Sequence, residues 1–427
     1  MSEIASTPPA PGRVVSPPQV SGAIRHDLVL EDTTLRDGEQ MPGVAFSKQT
    51  KLALHDLLVA AGVRWLEVGA AAMGGEELDY MRAQIAHGSD ATLVAWSRAI
   101  RADVDQSLDL GYRAVHIGFP VSRILLQASV GRDRHWLLTR LRELVGHAKD
   151  RGAFVSVSSG DSARVEDDFL LEYAGVAREA GADRLRISDT TGALTPEAYY
   201  RKVGRLAVAC DIDLHCHTHN DFGFATANTI AGLHAGARYF HVTVNGIGER
   251  AGNADLAQTA VALKHLHGRD VGIVERKLPA LSAAVARASG YRVQAHHPIV
   301  GKNVFTHESG IHVNAMLSDT KTFEPILAPS KVGRRRRYVL GKHSGRRLLR
   351  EMLRRRGIEA GEDELIHCLR EVKALAVAKR GSVSERELLE IYGQPAGTSA
   401  TSAEPVAENA ELAAEHRPAQ AASESDE

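Results

Sequence analysis

Between residues 27 and 265, short apolar stretches rich in β-branched residues alternate with longer segments whose apolar positions recur every three to four residues. Eight of the short stretches read as strands: "DLVLEDT" (27–33), "RWLEVGA" (64–70), "TLVAWS" (92–97), "RAVHIGF" (113–119), "AFVSVSS" (153–159), "DRLRISD" (183–189), "IDLHCHT" (212–218) and "RYFHVTVNG" (238–246). The intervening rhythm is clearest at 166–180, where Phe169, Leu170, Tyr173, Val176 and Ala177 fall on one helical stripe. Helix stops of the Gly-Val or Gly-Ala type, at Gly62, Gly181 and Gly236, precede three of the strands. Strands alternating with helices make a parallel sheet, and eight such units in about 240 residues suit a (β/α)8 TIM barrel, an α/β fold. No GxGxxG follows the first strand and no GxxxxGK[ST] occurs, which weakens nucleotide-binding alternatives.

A barrel of this kind carries its chemistry at the C-terminal ends of its strands. Polar residues collect there. The first strand ends in "DTTLRDGEQ" (Asp32–Gln40), the second holds Glu67, and the fifth carries Ser158 and runs into Gly160 and Asp161. The sixth ends at Asp189 and Thr190, and the eighth runs into "NGIGERAGN", which closes on Asn253. The seventh ends in "DLHCHTHND". Residues two apart on a strand share a face, so His215, His217 and His219 point inward while Cys216 and Thr218 face the helices. His217 and His219 lie nearest the rim; His215 sits deeper, where packing is its simpler use. With Asp37, and the Asn253 amide oxygen nearby, two imidazoles form a mixed N/O set. It suits a divalent Zn, Mn, Fe, Co or Mg ion with open positions, against the plainer alternative of core histidines satisfied by backbone.

Composition narrows the class further. The 427 residues are 44% hydrophobic and 25% charged, and 52 Lys+Arg against 53 Asp+Glu leave a formal charge of −1, so nothing global points to nucleic acid or a membrane surface. Three scattered cysteines, Cys210, Cys216 and Cys368, exclude a disulfide scaffold and suit a reducing, cytoplasmic setting. No apolar run reaches the roughly 18 residues of a membrane span. Residues 1–25 read as a disordered Pro/Ser-rich tail without a signal core, 26–290 as the barrel, 291–392 as smaller helical C-terminal subdomains, and 393–427 as a second disordered tail.

The motifs "DTTLRDGEQ", "HTHNDFGFATANT" and "NGIGERAGN", with "FTHESGIHVNAML" and "LGKHSGR" further on, resemble the isopropylmalate synthase/homocitrate synthase group of the DRE-TIM metallolyases, from about residue 27 to 350. Within it, "EVGAAAMGGEE" (67–77) and "GRDRHWLLTRL" (131–141) are most similar to the homocitrate synthase of nitrogen fixation. The resemblance implies an acyltransferase that joins acetyl-CoA to a 2-oxo acid, 2-oxoglutarate for homocitrate synthase, with thioester hydrolysis following. Another 2-oxo acid, an acyl-CoA lyase reaction, or a catalytically impaired paralogue are its alternatives. Carried over by motif, Asp37, His217 and His219 hold the metal with Asn253 nearby, and Arg36 stabilises the oxyanion growing on the ketone. His312 is the base, reaching the active site of the partner subunit in a homodimer; His307 and His343 are weaker candidates. Ser158 and Thr190 are donors to substrate, and Gln40 and Glu67 order the metal shell or its water.

Two positions depart from the pattern. Gly160 stands where the group commonly has a Glu, with Asp161 as a possible substitute, and Phe323 stands where homocitrate synthases often have a Tyr. After the barrel a helical stretch leads straight into low-complexity sequence, which leaves no room for the regulatory domain general in isopropylmalate synthases. The helix "RRLLREMLRRRGI" and the Arg334–Arg337 run are basic, and the run reads as a solvated face or a contact for CoA phosphates.

Overall fold

The computed structural model describes residues 22–323 and 326–393. Two compact units divide them, one of residues 22–306 with 326–336, the other of residues 307–323 with 337–393. In the first unit β1 (Val29–Asp32), β2 (Trp65–Gly69), β3 (Thr92–Arg98) and β4 (Ala114–Gly118) pair in parallel order with β5 (Phe154–Ser159), β6 (Arg184–Asp189), β7 (Asp213–Thr218) and β8 (Tyr239–Val242). Pairing of β1 with β8, from Val29↔Tyr239 to Asp32↔Val242, closes the barrel. This is the (β/α)8 fold read from the alternation. The eighth strand is shorter than its sequence, because Val244–Gly246 turns into a 3-10 helix with Asn245 at φ 61°.

The surrounding helices are α1 (Lys48–Ala60), α2 (Gly75–His87), α3 (Arg101–Asp109), α4 (Arg123–Val130) and α5 (Arg134–Asp150), then α6 (Asp167–Glu179), α7 (Pro196–Ala209), α8 (Ala225–His234), α9 (Leu256–His267) and α10 (Leu278–Ser289). All five stripe residues of α6 are buried against the barrel. Gly62, Gly181 and Gly236 have φ of 101°, 93° and 109°, a region that costs a side chain but not glycine, and each reverses the chain from a helix into the next strand.

The strands' first residues make the barrel floor. The Arg184 guanidinium lies 4.8–5.4 Å from the rings of Trp65, Phe154 and Tyr239 and pairs with Glu31 at 2.5 Å, with no exposure to solvent. Packing of the unit also runs past the segments assigned to it from sequence. Ile24 is buried in its core, and Val300, Phe305 and Val332 join the same cluster. Residues 1–21 and 394–427, the rest of the two tails, lie outside the described residues.

The second unit holds α11 (Gly310–Ser318), α12 (Arg346–Arg354), α13 (Glu362–Ala378) and α14 (Glu385–Tyr392) around Val313, Leu349, Leu365, Val372 and Leu388. A capping box starts α14, and at the start of α13 the Glu364 carboxylate accepts from Gly361 N–H at 2.7 Å. None of the helices among the described residues is long and apolar enough to cross a membrane. Cys210, Cys216 and Cys368 are all free thiols.

Candidate active site

Side-chain alternation along β7 does what the period of two demands. Cys216 and Thr218 face the helices, where the Thr218 hydroxyl donates to Ala225 O at 2.9 Å, while the histidines turn inward. The Nε2 atoms of His217 and His219 stand 3.2 Å apart, and Asp37 Oδ2 lies 3.7 Å from His217 Nε2. Bonds of about 2.1 Å to one ion place neighbouring ligand atoms about 3.0–3.4 Å apart, so the histidine pair fits a shared cation and Asp37 Oδ2 stands a few tenths of an ångström wide of it. Asn253 is brought in by a bridge between His219 and Asn253. Its amide nitrogen donates to Asp37 Oδ1 at 2.9 Å and Ile247 O at 3.2 Å, which fixes the amide's orientation and leaves a buried Oδ1 with no protein partner. Donor types, spacing and an orphaned oxygen together fit a divalent metal.

The hydrogen-bond chain behind His217 sets its tautomer. His217 Nδ1 lies 2.9 Å from His241 Nδ1, and His241 Nε2 lies 2.9 Å from Glu31 Oε1. Glu31 is ionised, since burial works to raise its pKa but Arg184 and the His241 bond outweigh it. His241 therefore donates from Nε2 and accepts at Nδ1, so His217 donates from Nδ1 and keeps its Nε2 lone pair for the centre. Glu31, His215 and His241 also cluster, but Arg184 and Arg186 beside them exclude a cation there.

Arg36 stands next to this centre. Its Nη1 is 2.8 Å from Asp37 Oδ2, its Nε donates to Glu67 Oε1 at 2.6 Å, and its guanidinium lies 5.7 Å from the Trp96 ring. Burial would raise the Asp37 pKa, but the Arg36 charge foremost holds the carboxyl well below its ordinary value. Glu67 is buried beneath Arg36, also bound by Arg186 Nη2 at 2.5 Å and by the Thr33 hydroxyl, and it does not line the open cavity. Its place is that of a counter-charge for two guanidiniums, not of a substrate contact. Gln40 is exposed at the rim, 3.4 Å from Arg36 Nη1.

The cavity over these groups has a volume of about 560 Å³. Arg36, Asp37, Gln40, Ser158, Thr190, His217 and His219 all line it. His116, Arg186, Trp96 and Arg98 also line it and went unremarked in the sequence, although Arg184 and Arg186, two apart in "DRLRISD", were visible as an inward pair. His116 is fully buried. Arg184 Nε donates to Ser156 Oγ at 2.9 Å, His116 Nδ1 lies 2.9 Å from the same oxygen, and its buried Nε2 has no partner among the described residues. Burial, with Arg186 adding, pushes its pKa well down, so the ring is neutral.

Gly160 lies on the same wall in a bridge to Pro120, and a Cβ there would stand 2.5 Å from Phe119 O. A side chain at this position must displace the end of β4. Asp161 is no substitute for the missing carboxylate: its Oδ2 is taken by the Ser122 hydroxyl and by Arg164 Nε at 2.7 Å, away from the cavity lining. His312 belongs to the second unit, exposed on α11, its ring centroid 4.2 Å from that of Phe323.

Five histidines inside the barrel make stability depend on pH. Burial foremost lowers the pKa of His116, His215, His217, His219 and His241. Below about pH 6.5 the unfolded chain takes up protons that the folded barrel refuses, so each removes up to about 1.4 kcal/mol per pH unit as the medium is acidified. Burial raises Asp32 to about 7, and the opposite sign applies: its contribution falls as pH rises toward 7, offsetting one histidine. Denaturant unfolding of metal-free protein should therefore show a loss of several kcal/mol between pH 7 and 5.5; a flat profile would contradict the neutral histidines.

Comparison with known proteins agrees with this geometry. The HMGL-like family matches residues 27–285, and the family described as homocitrate synthase post-HMGL domain-like matches 299–380. The chain belongs to the HMGL-like family and is a condensing enzyme of its synthase branch. It is 59% identical over 373 residues to a 2-phosphonomethylmalate synthase of Streptomyces rubellomurinus, covering 87% of this chain and 100% of that one. Homocitrate synthase 1 of Nostoc sp. is 43% identical over 364 residues, 85% of this chain and 96% of that one. A 2-isopropylmalate synthase 2 of Caldanaerobacter subterraneus is 42% identical over 86% of this chain and 95% of its own length, so length does not separate this chain from isopropylmalate synthases. Among solved structures, the hydroxymethylglutaryl-CoA lyase of Pseudomonas aeruginosa has the same fold, with TM-score 0.57 at 21% identity over 63% of this chain and 95% of that chain.

Proposed function

We propose that the chain condenses acetyl-CoA with a short 2-oxo acid bearing a second acidic group, and that this acceptor is 2-oxo-3-phosphonopropanoate. The observation that carries the chemistry is the convergence of Asp37, His217 and His219 beside Arg36 on the cavity wall. Identity of 59% with the Streptomyces synthase over its full length supports the acceptor. Cut at the bond a condensation forms, a malate substituted with phosphonomethyl yields an acetyl unit and that oxo acid. The wall supports an anionic side chain too: Ser158, Thr190, Arg186 and Arg98, the last paired with Asp103, line the cavity, and Gly160 adds no carboxylate.

In this reading Asp37, His217 and His219 hold a divalent ion with Asn253 Oδ1 beside it, and the bound ion polarises the acceptor ketone. Arg36, fixed by Glu67, offers N–H donors to the ketone oxygen as it gains charge. His312 removes a methyl proton from the thioester. The carbanion forms the new bond to the ketone carbon, the ketone oxygen becomes an alkoxide and is protonated, and water cleaves the thioester to release CoA. Phe323, packed on His312, brings no hydroxyl to assist it. Ser158 and Thr190 donate to the acceptor's acidic groups. A cytoplasmic homodimer, each chain's post-barrel segment serving its partner's site, belongs to the same reading.

A second reading, homocitrate synthesis of the nitrogen-fixation type from 2-oxoglutarate, is favoured by Trp136. It comes from the segment 131–141 that carries that likeness, and it lines the cavity. Thiol release from acetyl-CoA with a panel of oxo acids decides. The phosphono acid should lead 2-oxoglutarate, pyruvate and 2-oxoisovalerate by at least about tenfold in kcat/KM. A lead for 2-oxoglutarate would install the second reading, and no release with any acceptor would end both.

A further inference from the structure

A groove of about 950 Å³ in the second unit lies between α11 and α12 and is lined by Arg346, Arg347, Arg350 and Arg354. Arg346, Arg350 and Arg354 recur every four residues, so one face of α12 presents them in a row. Few carboxylates answer them. Arg346 and Arg350 share Glu362, and Arg354 and Arg355 share Glu351, so each acid balances two guanidiniums. Among the described residues Arg347 bonds neutral groups, Asn314 O at 2.9 Å, Asn314 Oδ1 at 3.2 Å and the Ser318 hydroxyl at 2.5 Å. Beside this charge the groove has an apolar part, Leu348 and Ile311, the latter 78% exposed. His312 follows Ile311 on α11.

We propose that this groove binds the phosphorylated adenosine end of coenzyme A, its phosphates on Arg350, Arg354 and Arg346 and its base against Ile311 and Leu348. This rests on the reading of the donor as a CoA thioester. Surplus guanidinium in partial exposure suits phosphate oxygens, which accept forked N–H pairs, better than a single carboxylate that two arginines must divide. An aromatic base covers the exposed Ile311 as no inorganic anion would. The handle's far arm then leaves the groove along α11, the helix that carries His312.

In the full-length enzyme, the Arg350→Ala/Arg354→Ala variant should raise KM for acetyl-CoA about 10–100-fold, from the loss of one or two charge-assisted contacts, and leave KM for the oxo acid unmoved. Arg350→Lys/Arg354→Lys should recover most of the loss, which a merely structural role would not require. Unchanged KM for acetyl-CoA in a folded Ala variant would overturn the proposal, as would equal rises for both substrates. Calorimetry with CoA and with adenosine 3′,5′-bisphosphate separates this failure from that of the functional reading. Binding that the Ala variant loses supports the groove even if no acceptor is turned over, and no binding to the wild type overturns it.

Discussion

His217→Ala or His219→Ala should leave the purified protein without its divalent ion and cut acetyl-CoA-dependent thiol release by about 10³-fold or more, whereas His215→Ala should retain the ion. The difference lies in where each ring's lone pair goes. The Nε2 atoms of His217 and His219 face each other at 3.2 Å with Asp37 close by. His215 Nδ1 instead faces Arg186 Nε at 3.4 Å, and a cation cannot share that neighbourhood with a guanidinium. The Glu31–His241 pair behind His217 fixes the proton on its far nitrogen, so His217→Ala removes a ligand already in the binding tautomer. Metal content by atomic emission, read with thiol release, checks this. An ion retained by both His217→Ala and His219→Ala, or lost only from His215→Ala, would refute the assignment.

Glu67→Gln should lower the unfolding free energy by about 3–5 kcal/mol and depress activity together. The side chain is fully buried, and it is the carboxylate against which both Arg36 and Arg186 are held. Burial opposes its ionisation, but Arg186 and then Arg36 hold its pKa well below the ordinary value, so the charge is present at neutral pH. Gln keeps the size and one acceptor while leaving two buried guanidiniums short of a counter-charge. Glu31 pairs with Arg186 only at 3.4 Å, and it already serves Arg184. Urea unfolding of metal-free protein isolates the stability effect from metal loss; a change under about 1 kcal/mol would mean that Glu31 or water takes over.

The barrel was legible because its evidence is periodic. Each strand read from sequence overlaps one of β1–β8, and period-two alternation alone turned the right histidines inward. The site was legible where chemistry sits at strand ends, as with Asp37, Ser158, Thr190, His217 and His219 around one cavity. What escaped was deeper. Glu31 and His241 sit in strands that read as apolar, and they bond each other across 210 positions of the chain. Local pattern cannot disclose a bond of that separation. Glu67 was assigned by its motif to the metal shell, but its bonds run to Arg36 and Arg186; spacing cannot say which of two neighbouring charges a carboxylate prefers. Gly160 looked like a lost acid. Its contact with Phe119 O makes it a position where backbone approaches backbone, a fact that only coordinates carry.

Arg184, lodged among Trp65, Phe154 and Tyr239, stoppers the base of the cylinder. With that end filled by side chains, the cavity opens at the opposite ends of the strands, where Arg36, Asp37, His217 and His219 line it.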